Sequence, residues 1–174
     1  MRFLAAIGAL AILIGIGAAA FFFGGYYNVA GTTADPAPVT WALTRVRVAS
    51  INRHANDSPP ASFGDAAMVE AGAKAYAAFG CATCHGAPGV MWLKLSEGMH
   101  PYPPDLKKVA ADLSPAQLFW IVKNGINMTG MPSFAEAGAT DNEIWSIAAF
   151  VKKLPSVSDA DYKSWTAGVE PKQH

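Results

Sequence analysis

The sequence predicts an all-α protein, in which a small helical domain is preceded by one helix long enough to span a membrane. Three observations carry this. Residues 3–23 are uninterrupted apolar or glycine, residues 65–79 and 141–154 repeat apolar side chains at helical spacing, and Ser114-Pro115 reads as a helix start ahead of Leu118, Phe119, Ile121 and Val122. A chain of 174 residues holds one compact domain plus an appendage, because an ordinary core takes about 100 to 150 residues.

The apolar run of 21 residues would be about 31 Å long as a helix, which matches the hydrocarbon thickness of a bilayer. A cleaved secretory signal is the alternative, with Ala18, Ala19 and Ala20 as the small residues a signal peptidase needs. Against it, the run outlasts a usual signal core and continues through Phe21, Phe22 and Phe23 to Tyr26 and Tyr27, which are placed to anchor at the interface. Arg2 is the only charge before the span. The positive-inside tendency therefore puts the N-terminus in the cytoplasm and the rest of the chain on the periplasmic side of the inner membrane.

The expected organisation is an anchor over residues 1–27, a linker with a short amphipathic helix over 28–62, a domain over 63–155 and a tail over 156–174. Small residues, Asp and Pro fill 31–38. Over 39–54, Trp41, Val48 and Ile51 fall near one helical face while Arg45, Arg53 and His54 lie elsewhere, although Val46 breaks the pattern. That segment reads equally as a solvated helix or as one lying on lipid headgroups. The tail reads as a short helix or a mobile segment, and His174 has no evident partner.

Composition removes several functions. Thirteen basic residues balance thirteen acidic ones with no long basic run, so the dense positive surface that nucleic acid requires is missing. The two cysteines, Cys81 and Cys84, are too close in the chain to staple a secreted scaffold. Neither can serve as a lipidated cysteine after a signal, so anchoring falls to a protein segment.

Those cysteines belong to Cys81-Ala82-Thr83-Cys84-His85, a C-x-x-C-H sequence and the attachment signature of haem c. Two thiols separated by two residues reach the two vinyl groups of one porphyrin, and the next residue offers an imidazole to the iron. Zinc would need a second ligand pair, and none exists. A thioredoxin-like pair would want a βαβ setting rather than Ala-rich helix-forming sequence.

With this motif in place, residues 63–154 resemble the class I cytochrome c family. The resemblance implies a cytochrome c-like helical haem domain with one covalently attached haem c. It also implies that helix 65–79, with Met68, Gly72, Tyr76 and Phe79 on one face, crosses a C-terminal helix near Gly72. The partner would be 141–154, with Ile144, Trp145, Ala148 and Val151 at helical period and Pro155 as the stop. Asn127-Met128-Thr129-Gly130-Met131-Pro132-Ser133-Phe134 resembles the family's methionine-ligand loop. The resemblance assigns Met131, between Gly130 and Pro132, as the second axial ligand beside His85. Met128, His100 and an open iron that binds small gases stay as alternatives; Met91 lies too close to His85 along the chain, and Met99 lacks motif support.

Weaker expectations follow from the same resemblance. Pro103-Pro104-Asp105-Leu106 resembles the turn that packs one haem edge, and Tyr102 or Trp120 is a candidate for a propionate contact. The second ring nitrogen of His85 should donate to a backbone carbonyl, and the family suggests a proline such as Pro88. Lys107 and Lys108, with Lys152 and Lys153, read as a docking face for redox proteins or as solvated helix ends.

An iron with two axial protein ligands has no vacant position for a substrate, so the expected role is a carrier of single electrons and not an enzyme. The expected donor is a quinol-oxidising complex or a dehydrogenase, and the acceptor a terminal oxidase of the respiratory chain. The alternative is a permanent cytochrome c subunit of a larger membrane-bound oxidoreductase.

Overall fold

A computed structural model describes residues 2–172, so His174 lies outside the described residues. The chain divides into two compact units, Met1–Ala34 and Asp35–His174. The first contains α1 (Arg2–Phe23), which is long and apolar enough to cross a membrane and has no buried residue. Phe21 packs edge-on against Tyr27, with ring centroids 6.2 Å apart.

The second unit is helical, and among the described residues its only strand-like pairing is an isolated bridge between Ala87 and Val90. In order it contains α2 (Ala37–His54), α3 (Ala66–Ala78), α4 (Ala82–His85), α5 (Leu106–Val109), α6 (Pro115–Asn124), α7 (Asp141–Lys153) and α8 (Asp159–Trp165). Short 3-10 turns cover Lys94–Gly98 and Leu154–Ser156. Side-chain caps mark the starts of α5, α6, α7 and α8. Ser114 and Gln117 form a reciprocal capping box with Pro115 at the first turn, and Thr140 and Glu143 form a second one. Ser158 accepts from the Asp161 amide to start α8.

The core is the crossing of α3 with α7, flanked by α6 on α7 and α8 on α3. Gly72 stands at the crossing as expected: a Cβ there would overlap the Ser146 carbonyl. The backbones can approach that closely only because no side chain intervenes. Met68, Gly72, Tyr76 and Phe79 are all buried, as their shared face requires. In α7 burial is wider than one face, since all of residues 144–151 are buried under the neighbouring helices. Aromatic pairs fill the seams. Phe119 stacks on Trp145 at 4.1 Å, Tyr76 meets Phe150 at 5.2 Å, and Phe150 meets Tyr162 of α8 at 5.7 Å. Each such pair contributes about 0.5–1.5 kcal/mol beyond its burial.

One reading of the surface needs correction. Lys152 is not a solvated docking lysine; its ammonium donates to the carbonyls of Ala110, Ala111 and Leu113 at 2.8, 3.3 and 2.9 Å. Helix α5 and the turn after it leave those carbonyls without helical partners, and the charge satisfies three at once. The tail forms α8 and then returns to the core. The Lys172 amide donates to the Ala78 carbonyl at 2.8 Å, and its ammonium pairs with Glu143 at 2.6 Å while sitting 4.4 Å above the Phe79 ring.

Lys152→Met should lower the free energy of unfolding by about 1.5–3 kcal/mol in denaturant titrations, the scale for hydrogen bonds to a charged donor, whereas Lys153→Met should be near neutral. The Lys172 ammonium holds the Glu143 carboxyl below its ordinary value. A depressed carboxyl contributes stability above its unfolded value, and that contribution is lost as pH falls through the folded one. The stability difference between wild type and Lys172→Met should therefore be present at neutral pH and close on acidification below about pH 4, a small effect because the pair is partly exposed.

Candidate haem site

The attachment sequence occupies one turn between two glycines in left-handed conformation. α3 ends into Gly80 (φ +71°), and α4 ends into Gly86 (φ +66°). Amides of Cys84 and His85 both donate to the Cys81 carbonyl, at 3.3 and 3.1 Å, so the segment closes as a single helical turn. That geometry puts Cys81 and Cys84 three positions apart on one side of the turn, with His85 following. Both thiols are free; Cys81 is buried and Cys84 half-buried. Burial pushes the Cys81 thiol up to about 12, well above its ordinary value. A group so disposed is a protonated thiol at neutral pH, which is the opposite of the activated thiolate of a disulfide-exchange enzyme.

Tyr76, wholly buried, donates its hydroxyl to the Gly86 carbonyl at 2.7 Å and so ties the end of this turn to α3. Its own ionisation is pushed far upward, mainly by burial and then by the nearby Cys81. The Leu93 amide donates to the Thr83 carbonyl at 2.8 Å, which fixes the loop that follows.

His85 lies with Nδ1 at 2.9 Å from the carbonyl oxygen of Pro104. A carbonyl can only accept, so Nδ1 carries the proton and Nε2 presents its lone pair. Burial lowers the ring's affinity for a second proton, against the opposing pull of the Pro104 carbonyl. The expected carbonyl, that of Pro88, is not the acceptor. Pro88 sits inside the tight Ala87–Val90 turn beside His85, whereas the Pro103-Pro104 segment passes the ring edge, 19 residues away in sequence. Trp120, a candidate propionate contact, instead stacks on His54 at 6.1 Å. Tyr102 is exposed.

Residues 126–132 form a loop bound back onto the C-terminus of α6. The Ile126 amide donates to the Met131 carbonyl at 3.1 Å, the Met131 amide to the Thr129 hydroxyl at 3.1 Å, and the Ser133 hydroxyl to the Lys123 carbonyl at 2.7 Å. Met131 is half-buried against the core, whereas Met128 is 75% exposed. Gly125 (φ +67°) underlies the loop: a Cβ there would come within 2.7 Å of the Met131 carbonyl oxygen and 2.5 Å of the Pro132 carbonyl carbon. Met99 approaches from the other direction, its sulfur 2.7 Å from where a Gly130 Cβ would stand. His100 is exposed.

The donor set of two thiols and a neutral imidazole with a bare Nε2 is what a haem c would use, and no group of three or more His, Cys, Asp or Glu among the described residues offers a metal an alternative. Val90, Leu93, Leu95 and Tyr102, on the loops after the attachment turn, are uncovered apolar side chains of the kind a porphyrin face would cover. The residues present therefore fit the group.

Residues 67–151, a little under half of the chain, match the model of the family described as cytochrome c oxidase, cbb3-type, subunit III. The chain carries a class I c-type cytochrome domain. Such a domain holds haem c covalently and works as an electron carrier, not as an enzyme in itself. No curated protein and no solved structure matched the chain. Within the cytochrome domain, sequence reasoning missed the Pro104 acceptor and the role of Gly125. The first left no signal because any backbone carbonyl can accept; the second was legible only as a glycine after an apolar helix.

Gly125→Ala should force the Met131-Pro132 backbone outward and strain a left-handed residue. The expected outcome is a domain that folds but unfolds at a lower midpoint in denaturant titrations than wild type.

Proposed function

We propose that this chain is a membrane-anchored monohaem cytochrome that carries single electrons between respiratory or dehydrogenase complexes. Cys81 and Cys84 would hold haem c through thioethers, and His85 and Met131 would ligate its iron. The observation that carries this reading is the turn in which two free thiols precede an imidazole whose Nδ1 is committed to Pro104 and whose Nε2 is bare. Bound haem supplies the one-electron couple of its iron. The protein's residues do the rest.

Pro104 fixes the tautomer and plane of the His85 ring and so its basicity towards a metal. Tyr76 and Gly86 hold the turn against α3, so that ring and thiols move together. Met131 is preferred to Met128 because its side chain packs inward on a loop closed by three hydrogen bonds, while Met128 points to solvent. A thioether opposite an imidazole favours the reduced iron relative to two nitrogen ligands, as does an apolar surround. The potential is therefore placed high, suited to electrons arriving from a quinol-oxidising complex or dehydrogenase and leaving towards a terminal oxidase.

Anchoring through α1 is supported by its length, its apolar composition and its lack of buried residues, with the haem domain on the periplasmic side. A second reading, a permanent subunit of a membrane-bound oxidoreductase, is favoured by the family description, which names an oxidase subunit. Sizing after gentle solubilisation distinguishes them, because a carrier runs alone and a subunit brings its catalytic partner.

Protein made with haem-maturation machinery should keep its colour through acid-acetone extraction, and Cys81→Ser with Cys84→Ser should lose it. Met131→Ala should abolish the weak long-wavelength band of sulfur ligation to ferric iron, and Met99→Leu should keep it. The reverse pattern would transfer the ligand role to Met99.

A further inference from the structure

Helix α2 packs on α6 through few residues and leaves most of its length uncovered. Its contact with α6 is made by a sparsely apolar side: Ile51 is the one buried residue, His54 stacks on Trp120, and the Asn52 side-chain oxygen accepts from Gln117 at 2.7 Å. Of the apolar side chains expected to share Ile51's face, Trp41 is 64% and Val48 48% exposed, and Val46, which breaks that face, is 67% exposed. Trp41, Arg45 and Val48 follow one another at helical spacing, and Ala42, Val46, Ala49 and Arg53 form the adjacent row. Packing on α6 thus covers only the Ile51 end of the helix, and Trp41, Leu43, Val46 and Val48 remain uncovered.

Charge on this helix is of one sign. α2 contains Arg45, Arg47 and Arg53 and no acidic residue, in a chain whose total charge is zero. None of the three arginines forms an ion pair among the described residues. A solvated helix end would not need this combination of bare arginines and bare apolar residues. It is the composition of helices that lie in a membrane interface, where tryptophan sits at headgroup level and arginine meets anionic lipid.

Chain length allows it. Residues 24–36 join α1 to α2, and thirteen residues reach at most about 45 Å, so a bilayer spanned by α1 is within reach of α2. We infer that the outer face of α2, built from Trp41, Arg45, Val46, Val48 and Arg53, docks on the anionic lipid headgroups of the membrane that α1 crosses. This rests on the anchoring reading above. The tether supplies local concentration, and each arginine near an anionic surface adds about a fivefold preference for it. The result is a haem domain presented in a fixed orientation to membrane-embedded redox partners rather than swinging on a free linker.

The test uses the full-length holoprotein in nanodiscs of phosphatidylcholine alone and of phosphatidylcholine mixed with phosphatidylglycerol. Tryptic cleavage after Arg45 and Arg53 is followed by mass spectrometry, with cleavage after the exposed Lys94 as internal reference. Relative to Lys94, cleavage in α2 should slow severalfold in the anionic discs and recover in high salt. Trp41→Ser with Val48→Ser, which changes only outward-facing side chains, should remove the protection. Equal relative cleavage in the two lipids would overturn the inference and would leave the face to a protein partner. An alkaline wash reads the anchor separately: chain retained in the discs with lipid-independent cleavage defeats the docking of α2 alone, while chain released by the wash defeats both readings.

Discussion

The close passage of α3 over α7 at Gly72 is the constraint from which the rest of the haem domain follows. A single methyl group at that position would meet the Ser146 carbonyl, so the distance between the two helices is set by backbone rather than by side-chain choice. That distance places Tyr76 against Phe150 and buries its hydroxyl with one acceptor in range, the Gly86 carbonyl. The attachment turn is in this way referenced to the core at both ends, by the run of α3 into Gly80 and by Tyr76 onto Gly86. A redox site profits from such referencing because a ligand displaced by a fraction of an ångström changes the balance between oxidised and reduced iron.

The second side of the site is built differently. The Met131 loop has no helix of its own, and its shape comes from local hydrogen bonds and from Gly125, whose missing side chain lets the loop lie on the end of α6. The imidazole side is held by long-range packing and the thioether side by short-range closure. With Met131 as the proposed ligand, the latter is the side where a small change in sequence would alter coordination without unfolding the domain.

Much of this was legible before any coordinates. Helices α3, α6 and α7 announce themselves through apolar spacing and through Ser114-Pro115, and the C-x-x-C-H turn carries its chemistry in five adjacent residues. Legibility failed where partners are backbone atoms or lie far along the chain. Pro104 accepts from His85 through a carbonyl that every residue possesses, and Lys152 finds three carbonyls some 40 residues upstream. Ile51 and Trp41 look alike in the sequence pattern of α2, because the apolar side chains there are scattered around the helix. Only the position of α6 decides that one points in and the other out. Thr140-Asp141-Asn142-Glu143 is a different case, a capping box written openly in the sequence whose reciprocal bonds fix where α7 begins.

Chain order gives the buried Cys81 a further meaning. The thiols emerge from the ribosome well before α7, α8 and Lys172, which complete the core that encloses Cys81. Until those segments are made and packed, both sulfurs are accessible. Chemistry at the Cys81 sulfur is therefore least hindered before α7 and α8 pack over it.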